Sequence, residues 1–281
     1  MSLDWKASRS GGLHGTYTVP GDKSISHRAI MLAALADGES RIEGFLEGED
    51  TRATAKIFSQ LGVRIETPDA HTRIVHGVGL HGLKASAEAL DCGNAGTGMR
   101  LLTGLLSAQA FDSVLVGDAS LSKRPMARVI RLLEAMGAHI DARDGNFAPL
   151  RIHGGRVLQG QSVDTQVASA QVKSALIFAA LYAEGETVIT EPRPTRDYTE
   201  SMLKALGWPI TFEPGRVALC GGGRLHAVNF RIPGDISSAA FLIAAALLIP
   251  GSDITLRNIG INPRRIGILK AFKLMGGDIS L

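Results

Sequence analysis

Basic and small residues recur along this chain where helices are expected to begin, and that combination suits the capture of anions. The stretch Pro20-Gly21-Asp22-Lys23-Ser24-Ile25-Ser26-His27-Arg28-Ala29 is the most informative. It falls at a strand-to-helix junction, where unsatisfied backbone N–H groups and the helix dipole favour negative charge. Lys23 supplies a point charge and Arg28 a planar fork for phosphate or carboxylate. A cation in a helix's first turn opposes that helix's own dipole. Such a residue is answered either by an external anion or by solvent, and the loop alone leaves both readings open.

A second loop, Asp91-Cys92-Gly93-Asn94-Ala95-Gly96-Thr97-Gly98-Met99-Arg100, repeats the design. Its glycines let backbone approach a ligand closely, while Asn94 and Thr97 offer side-chain hydrogen bonds. A third, Ala168-Ser169-Ala170-Gln171-Val172-Lys173-Ser174, brings a hydroxyl and an amide, and by itself is a capped helix start. Arginines also precede a second set of helices, at Arg52, Arg124, Arg196 and Arg264/Arg265. Glu49, Asp50 and Asp197 are local acids able to answer some of these internally, which leaves Arg52 open between a local ion pair and an outside anion, whereas Arg124 has no acid closer in sequence than Asp118. Arg124 is therefore the better ligand candidate.

The elements that must position these loops form a repeat. Leu61-Gly62, Met136-Gly137, Leu206-Gly207 and Met275-Gly276 each close a helix-like stretch and precede a strand-like one, with glycine spacings of 75, 70 and 69 residues. Upstream, each repeat has a small-residue loop and an Ala/Leu-rich helix, expected near 26–36, 98–109, 171–183 and 238–248. A short strand follows (Ser40–Ile42, Ser113–Val116, Thr187–Ile189, Asp253–Leu256), then a second helix that runs to the glycine. The first three repeats add a hairpin strand at Thr72–His76, Pro149–His153 and Arg216–Leu219, and the sequence stops where the fourth is due. The fold class expected is α/β (α+β) built from βαβαββ units, with the last unit cut short so that a sheet edge and helix faces are uncovered.

Composition excludes several function classes. Of 281 residues, 45% are hydrophobic and 20% charged, with 33 glycines and few aromatics, so the core is expected to be aliphatic. Net charge +3 and an absence of long Lys/Arg runs give no nucleic-acid footprint. Two isolated cysteines, Cys92 and Cys220, form no metal or disulfide framework. The longest apolar run, Ala239 to Ile249, is about half the ~20 residues a membrane span needs, and is expected to be a buried helix ended by Pro250. No signal-peptide h-region is present, so a soluble, cytoplasmic location is expected.

Taken together, Lys23-Ser-Ile-Ser-His-Arg-Ala29, Gly93-Asn-Ala-Gly-Thr-Gly-Met-Arg100, Gly117-Asp-Ala-Ser-Leu-Ser-Lys-Arg124-Pro125, Ala168-Ser-Ala-Gln-Val-Lys-Ser174 and Thr195-Arg-Asp-Tyr-Thr-Glu200 resemble the successive signatures of the 5-enolpyruvylshikimate-3-phosphate synthases. The resemblance runs the length of the chain. Its Ser-Ala-Gln and Thr-Arg-Asp forms are most similar to the bacterial branch that includes glyphosate-tolerant members, while Gly96 leaves room for that inhibitor. The resemblance implies two domains of three βαβαββ units each, with ligands between them. Residues 21–234 would form one domain, and 1–20 with 235–281 part of the other.

The implied activity transfers the enolpyruvyl group of phosphoenolpyruvate to the 5-hydroxyl of shikimate 3-phosphate and releases phosphate, a step of aromatic amino acid biosynthesis. By this likeness Lys23, Ser24, Arg28, Ser169, Ala170 (backbone), Gln171 and Arg196 would hold shikimate 3-phosphate. Lys23, Asn94, Gly96, Thr97, Arg124 and Gln171 would meet phosphoenolpyruvate. No cofactor and no metal is implied, and the partners are the two small substrates, without nucleic acid or membrane, in a full-length monomer. The proton-transfer groups are expected beyond Leu281, which points to a fragment that binds with little turnover. A non-catalytic binding or scaffold protein on the same fold is the alternative. The related UDP-N-acetylglucosamine enolpyruvyl transferases are disfavoured by Lys23-Ser24 in place of Lys-Asn and by the setting of both cysteines.

Overall fold

The computed structural model describes Lys6, Ser8 and residues 11–281. The chain divides into a large unit, Lys23–Ile232, and a small unit that joins the described residues up to Asp22 with Pro233–Leu281. In the large unit the elements run α1 (Lys23–Leu35), β2 (Asp37–Glu43), α2 (Glu49–Gln60), β3 (Arg64–Asp69) and β4 (Thr72–Val78). A second set follows: β5 (Leu90–Asp91), α3 (Gly96–Leu106), β6 (Ser113–Val116), α4 (Ala127–Ala135), β7 (His139–Arg143) and β8 (Phe147–His153). The third is β9 (Ser162–Asp164), α5 (Ala170–Ala180), β10 (Glu186–Thr190), α6 (Tyr198–Ala205), β11 (Ile210–Glu213) and β12 (Arg216–Cys220), and β13 (Phe230–Arg231) closes the unit. The small unit holds β1 (His14–Tyr17), α7 (Ile236–Leu248), β14 (Asp253–Leu256) and α8 (Gly267–Leu274).

Three four-stranded sheets share one plan. Their orders are β13-β2-β4-β3, β5-β6-β8-β7 and β9-β10-β12-β11. In each, a short leading strand runs parallel to the second strand, which pairs antiparallel with a hairpin. The βαβαββ grammar of the sequence is therefore the fold. One strand is exchanged along the chain: β13, at the entrance to the fourth repeat, completes the first sheet, while β1 pairs parallel with β14 in the small unit.

Three helices of the large unit are buried on nearly every side, and its other helices present one apolar face. In α1 every residue from Ser26 to Leu35 is buried, and α3 and α5 are buried almost as fully. These inner helices pack on each other, and α3 crosses α5 so closely that a Cβ at Gly104 would lie 1.9 Å from the Ala175 carbonyl oxygen. The outer α4 buries only Val129, Ile130 and Leu133. Around the inner helices lies a continuous aliphatic core from Ala29 to Ile232, as the scarcity of aromatics requires.

All four closing glycines adopt left-handed backbone, with φ of 91° at Gly62, 105° at Gly137, 85° at Gly207 and 92° at Gly276. Each donates its N–H three residues back, to Ser59, Glu134, Lys204 and Lys273, while the following residue donates five back, to Phe58, Leu133, Leu203 and Phe272. That pair of bonds is the Schellman motif, which satisfies the last carbonyls of a helix and turns the chain into the next strand. A Gly137→Ala change puts a Cβ on a positive φ and 3.2 Å from the Val157 carbonyl oxygen. It is expected to cost about 1–2 kcal/mol, read as a lower urea midpoint at unchanged m-value.

One expectation is corrected by the small unit. The run from Ala239 is helical as far as Leu248, but within α7 only Ile236 and Ala239 are buried, and Phe241 and Leu248 are each 80% exposed. The small core there, Ile236, Ala239 and Leu269 with neighbours such as Val19, Ile243 and Leu256, covers one side of α7 only. No helix among the described residues is long and apolar enough to cross a membrane.

Candidate functional site

Three helices of the large unit begin side by side. At the start of α3, a Cβ on Gly98 would meet Thr54 Oγ1 of α2 at 3.0 Å and His27 of α1 at 3.8 Å. At the start of α5, the Gln171 amide nitrogen donates to Thr97 Oγ1 of α3 at 2.9 Å. Ser174 of α5 accepts from Arg28 of α1 at 2.7 Å. None of α1, α3 and α5 carries an acidic residue in its first turn, whereas α2 has Glu49 and Asp50 and α6 has Glu200. Adjacent helix N-termini without acids sum their positive ends and leave N–H groups for an oxyanion.

Around the α3 terminus the side chains form a cationic cradle. The Arg100 guanidinium donates to the Gln171 side-chain oxygen Oε1 at 2.9 Å and to the Gly96 backbone carbonyl oxygen at 3.2 Å. A Cβ on Gly96 would lie 3.0 Å from Arg124 Nη1 and 3.1 Å from Arg100 Nη1, so two guanidinium groups flank this glycine. Arg124 donates to Asn94 Oδ1, and Asn94 donates onward to Asp118 at 2.7 Å. Burial, with Arg128 and Arg124 close by, pulls the Arg100 pKa below its ordinary value. Like charges gathered in this way are a standing cost that a bound anion relieves.

Beside it lies a second grouping. Lys23 pairs with Asp50 at 2.9 Å, and Arg196 donates to the Ser24 hydroxyl at 3.3 Å. Ser169 caps α5, accepting from the Val172 N–H at 3.4 Å, as its sequence suggested. Arg28 lies under this loop and is only 3% exposed. It donates to the Ser24 carbonyl oxygen at 2.8 Å and to the Thr199 and Ser174 hydroxyls at 2.7 Å each. Lys23, Ser24, Asn94, Gly96, Thr97, Arg124, Ser169, Ala170, Gln171 and Arg196 all belong to the loops or helix starts of this one face.

The arginines that open second helices sort by partner. Arg52 is held by Glu47 at 3.1 Å, not by the nearer-in-sequence Glu49 or Asp50, because Asp50 turns to Lys23. Arg265 is held by Asp235 at 3.0 Å. Arg124 and Arg196 pair with no carboxylate among the described residues, and their partners are the Asn94 amide and the Ser24 hydroxyl. Sequence reasoning missed Arg100, although it stands inside the quoted loop: its partner Gln171 is 71 residues away.

His27, in the middle of the first loop, is not an acid–base group at neutral pH. It is fully buried, its Nδ1 sits 2.8 Å from Thr54 Oγ1, and burial pushes its pKa down to about 3. The folded-state pKa thus lies below the unfolded one, so the unfolded chain binds the extra proton and stability falls as pH drops through about 6.5. Between pH 7 and pH 5 this histidine is expected to remove about 2 kcal/mol, and urea unfolding of a His27→Asn variant at both pH values should show a flatter dependence.

These features define a class: an α/β repeat protein in which three inner helices with no acid in their first turns begin among Lys and Arg side chains. The model of the EPSP synthase (3-phosphoshikimate 1-carboxyvinyltransferase) family matches residues 8–281, and the chain belongs to that family. It is 64% identical over 275 residues to the 3-phosphoshikimate 1-carboxyvinyltransferase of Xanthomonas campestris pv. campestris strain B100, covering 98% of this chain and 63% of that protein. The enzyme of the same name from Xanthomonas axonopodis pv. citri is 62% identical, with 98% and 62% covered. The EPSP synthase structure from Acinetobacter baumannii superposes with a TM-score of 0.89 at 52% identity, over 94% of this chain and 60% of that one. The chain therefore spans a little over three-fifths of the length of these relatives.

Proposed function

We propose that this chain carries the anion-binding part of an enolpyruvyl transferase, which moves the enolpyruvyl group of phosphoenolpyruvate onto the 5-hydroxyl of shikimate 3-phosphate. The observation that supports this most is the juxtaposition of the acid-free N-termini of α1, α3 and α5 with Lys23, Arg100, Arg124 and Arg196 around them. Both substrates are polyanions, and their mutual repulsion is a large part of what a catalyst must offset.

In this reading Lys23, Ser24, Ser169, the Ala170 backbone, Gln171 and Arg196 hold shikimate 3-phosphate. Arg28 joins them, and a ligand carboxylate must then draw its guanidinium from the Ser174 or Thr199 hydroxyl, which can rotate away. Lys23, Asn94, Gly96, Thr97, Arg124 and Gln171 receive phosphoenolpyruvate, with Arg100 orienting the Gln171 amide through its 2.9 Å bond. The 21–234 and 1–20/235–281 segments act as the two domains of the reaction. Residues 1–281 bind shikimate 3-phosphate and turn over little by themselves.

Calorimetry with shikimate 3-phosphate and a phosphate-release assay with both substrates test the proposal together. Saturable heat without turnover is the expected pair. Full-rate phosphate release refutes the division of labour, and absence of heat refutes the site and favours a scaffold.

A further inference from the structure

On the β7–β8 hairpin of the large unit, two histidines and an aspartate face one another on the exposed side of the sheet. His139 and His153 are direct cross-strand partners, and Asp141 follows His139 by two residues, which the pleat places on the same face. Between and opposite them, Ile140 is 5% exposed and Ile152 is fully buried, so the opposite face is anchored in the core. The imidazoles stack with centroids 4.2 Å apart and an 18° angle between planes. Both Nε2 atoms turn to the same carboxylate: His153 Nε2 is 2.8 Å from Asp141 Oδ2, and His139 Nε2 is 3.6 Å from Asp141 Oδ1. A ligand atom from each of the three residues lies within 4.8 Å of the others.

We propose that this hairpin binds a borderline divalent transition metal ion, Zn2+ being the reference case, through His139 Nε2, His153 Nε2 and the Asp141 carboxylate. Metal–ligand bonds of about 2.0–2.2 Å in tetrahedral array require ligand atoms roughly 3.3–3.5 Å apart. The two Nε2–carboxylate separations bracket that span, and the stacked rings must splay apart to aim both Nε2 lone pairs at one ion. Imidazole with a single carboxylate selects zinc, copper or nickel over magnesium, which demands oxygen ligands. The fourth position would be taken by water.

The surroundings supply one helper and one opponent. Asp112 Oδ2 lies 3.9 Å from His153 Nδ1, and its other oxygen accepts the Gly154 N–H at 3.0 Å. As the structure stands, the 2.8 Å contact with Asp141 puts the His153 proton on Nε2; metal binding at Nε2 moves it to Nδ1, where Asp112 is placed to close in and accept it. Against this, Arg156 Nη2 is 3.4 Å from His139 Nδ1 and favours the tautomer with the proton on Nε2. Arg151, opposite Asp141 on β8, adds a second positive charge. Metal binding therefore displaces Arg156 and works against two cations, which sets the affinity below that of a dedicated structural site.

The test uses tag-free chain titrated with ZnCl2 by calorimetry, with melting temperature as a second readout and MgCl2 as control. One site is expected, with a rise on the order of 5 °C at a hundredfold excess over Kd. His139→Gln, His153→Gln and Asp141→Asn should each weaken binding at least tenfold, and Arg156→Ala should tighten it several-fold. No saturable Zn2+ binding, or wild-type affinity in both histidine variants, overturns the proposal. Unchanged or weaker binding in Arg156→Ala, a variant of an exposed residue that leaves the hairpin core intact, overturns the geometry assigned to His139.

Discussion

Replacing Lys173 by methionine is expected to destabilise the large unit by about 3–5 kcal/mol, a substantial share of the total stability of a domain. Lys173 extends from α5 into a space that is almost dry, with its side chain 5% exposed. Its ammonium lies 2.8 Å from Glu191, at the end of the third repeat's central strand, and 2.8 Å from Glu200 on α6, whose side chains are 1% and 2% exposed. Glu191 has a further donor in Thr195, but Glu200 Oε2 has no hydrogen-bond partner among the described residues. Methionine preserves most of the volume and removes the charge, so two buried carboxylates are left without their shared cation. The loss comes from that uncompensated charge rather than from packing.

The pH dependence of the variant identifies the cause. Burial already raises the Glu200 pKa, with Lys173 the largest force in the other direction. Removing Lys173 raises it further in the folded state only. A folded-state pKa above the unfolded value gives stability that is present at low pH and lost as pH rises through the folded pKa. The deficit of Lys173→Met relative to the wild type should therefore shrink as pH is lowered toward the acidic range, measured by urea unfolding. Adding Glu191→Gln and Glu200→Gln should recover most of the lost stability at neutral pH, since amides can be buried with far less penalty than charges. A deficit independent of pH, or no recovery in the triple variant, would show that Lys173 acts by shape alone.

Features set by local chemistry were legible in the sequence. Each closing glycine is required by the backbone of its own helix end, so four of them at a near-constant interval disclosed the repeat and, with the strand spacing, the βαβαββ plan. The helix starts that carry Lys23, Gly96 and Ser169 were likewise visible, because loop, cap and apolar run are contiguous. What eluded sequence reasoning depends on partners brought from afar. The burial of Arg28 against Ser174 and Thr199 joins residues 146 and 171 positions apart. The Lys173–Glu191–Glu200 cluster joins three elements of the third repeat and the Arg100–Gln171 bond joins the second repeat to the third, and no spacing rule predicts them. The exposure of Phe241 and Leu248 was missed for the converse reason, since an apolar run states what a helix could bury and not what is there to cover it.

The anion cradle leads to the other large effect, in which stability and binding are expected to move in opposite directions. Arg124 stands next to Arg100 across Gly96, and neither pairs with a carboxylate among the described residues. In the unliganded chain an Arg124→Ala change removes a repulsion along with the bond to Asn94, so its stability should stay within about 0.5 kcal/mol of the wild type or rise slightly. Under the proposed assignment of Arg124 to phosphoenolpyruvate, the change removes a charge-assisted, fork-shaped donor worth about 1.5–3 kcal/mol, and a roughly 10- to 150-fold loss of affinity is expected. Arg196→Ala should impose a similar loss on shikimate 3-phosphate, because Arg196 is placed at Ser24 and not at Gly96. Calorimetry with each ligand on each variant gives a two-by-two comparison in which the large losses fall on one diagonal. Arg124→Lys keeps the charge without the fork and should fall between, with a weaker dependence on geometry and an undiminished dependence on salt. Equal losses for both ligands in both variants would mean that the arginines act as a diffuse field and that the two groupings are a single undivided site. Losses accompanied by matching destabilisation would mean that Arg124 holds the α3 loop together, and the cradle would then be structure before it is recognition.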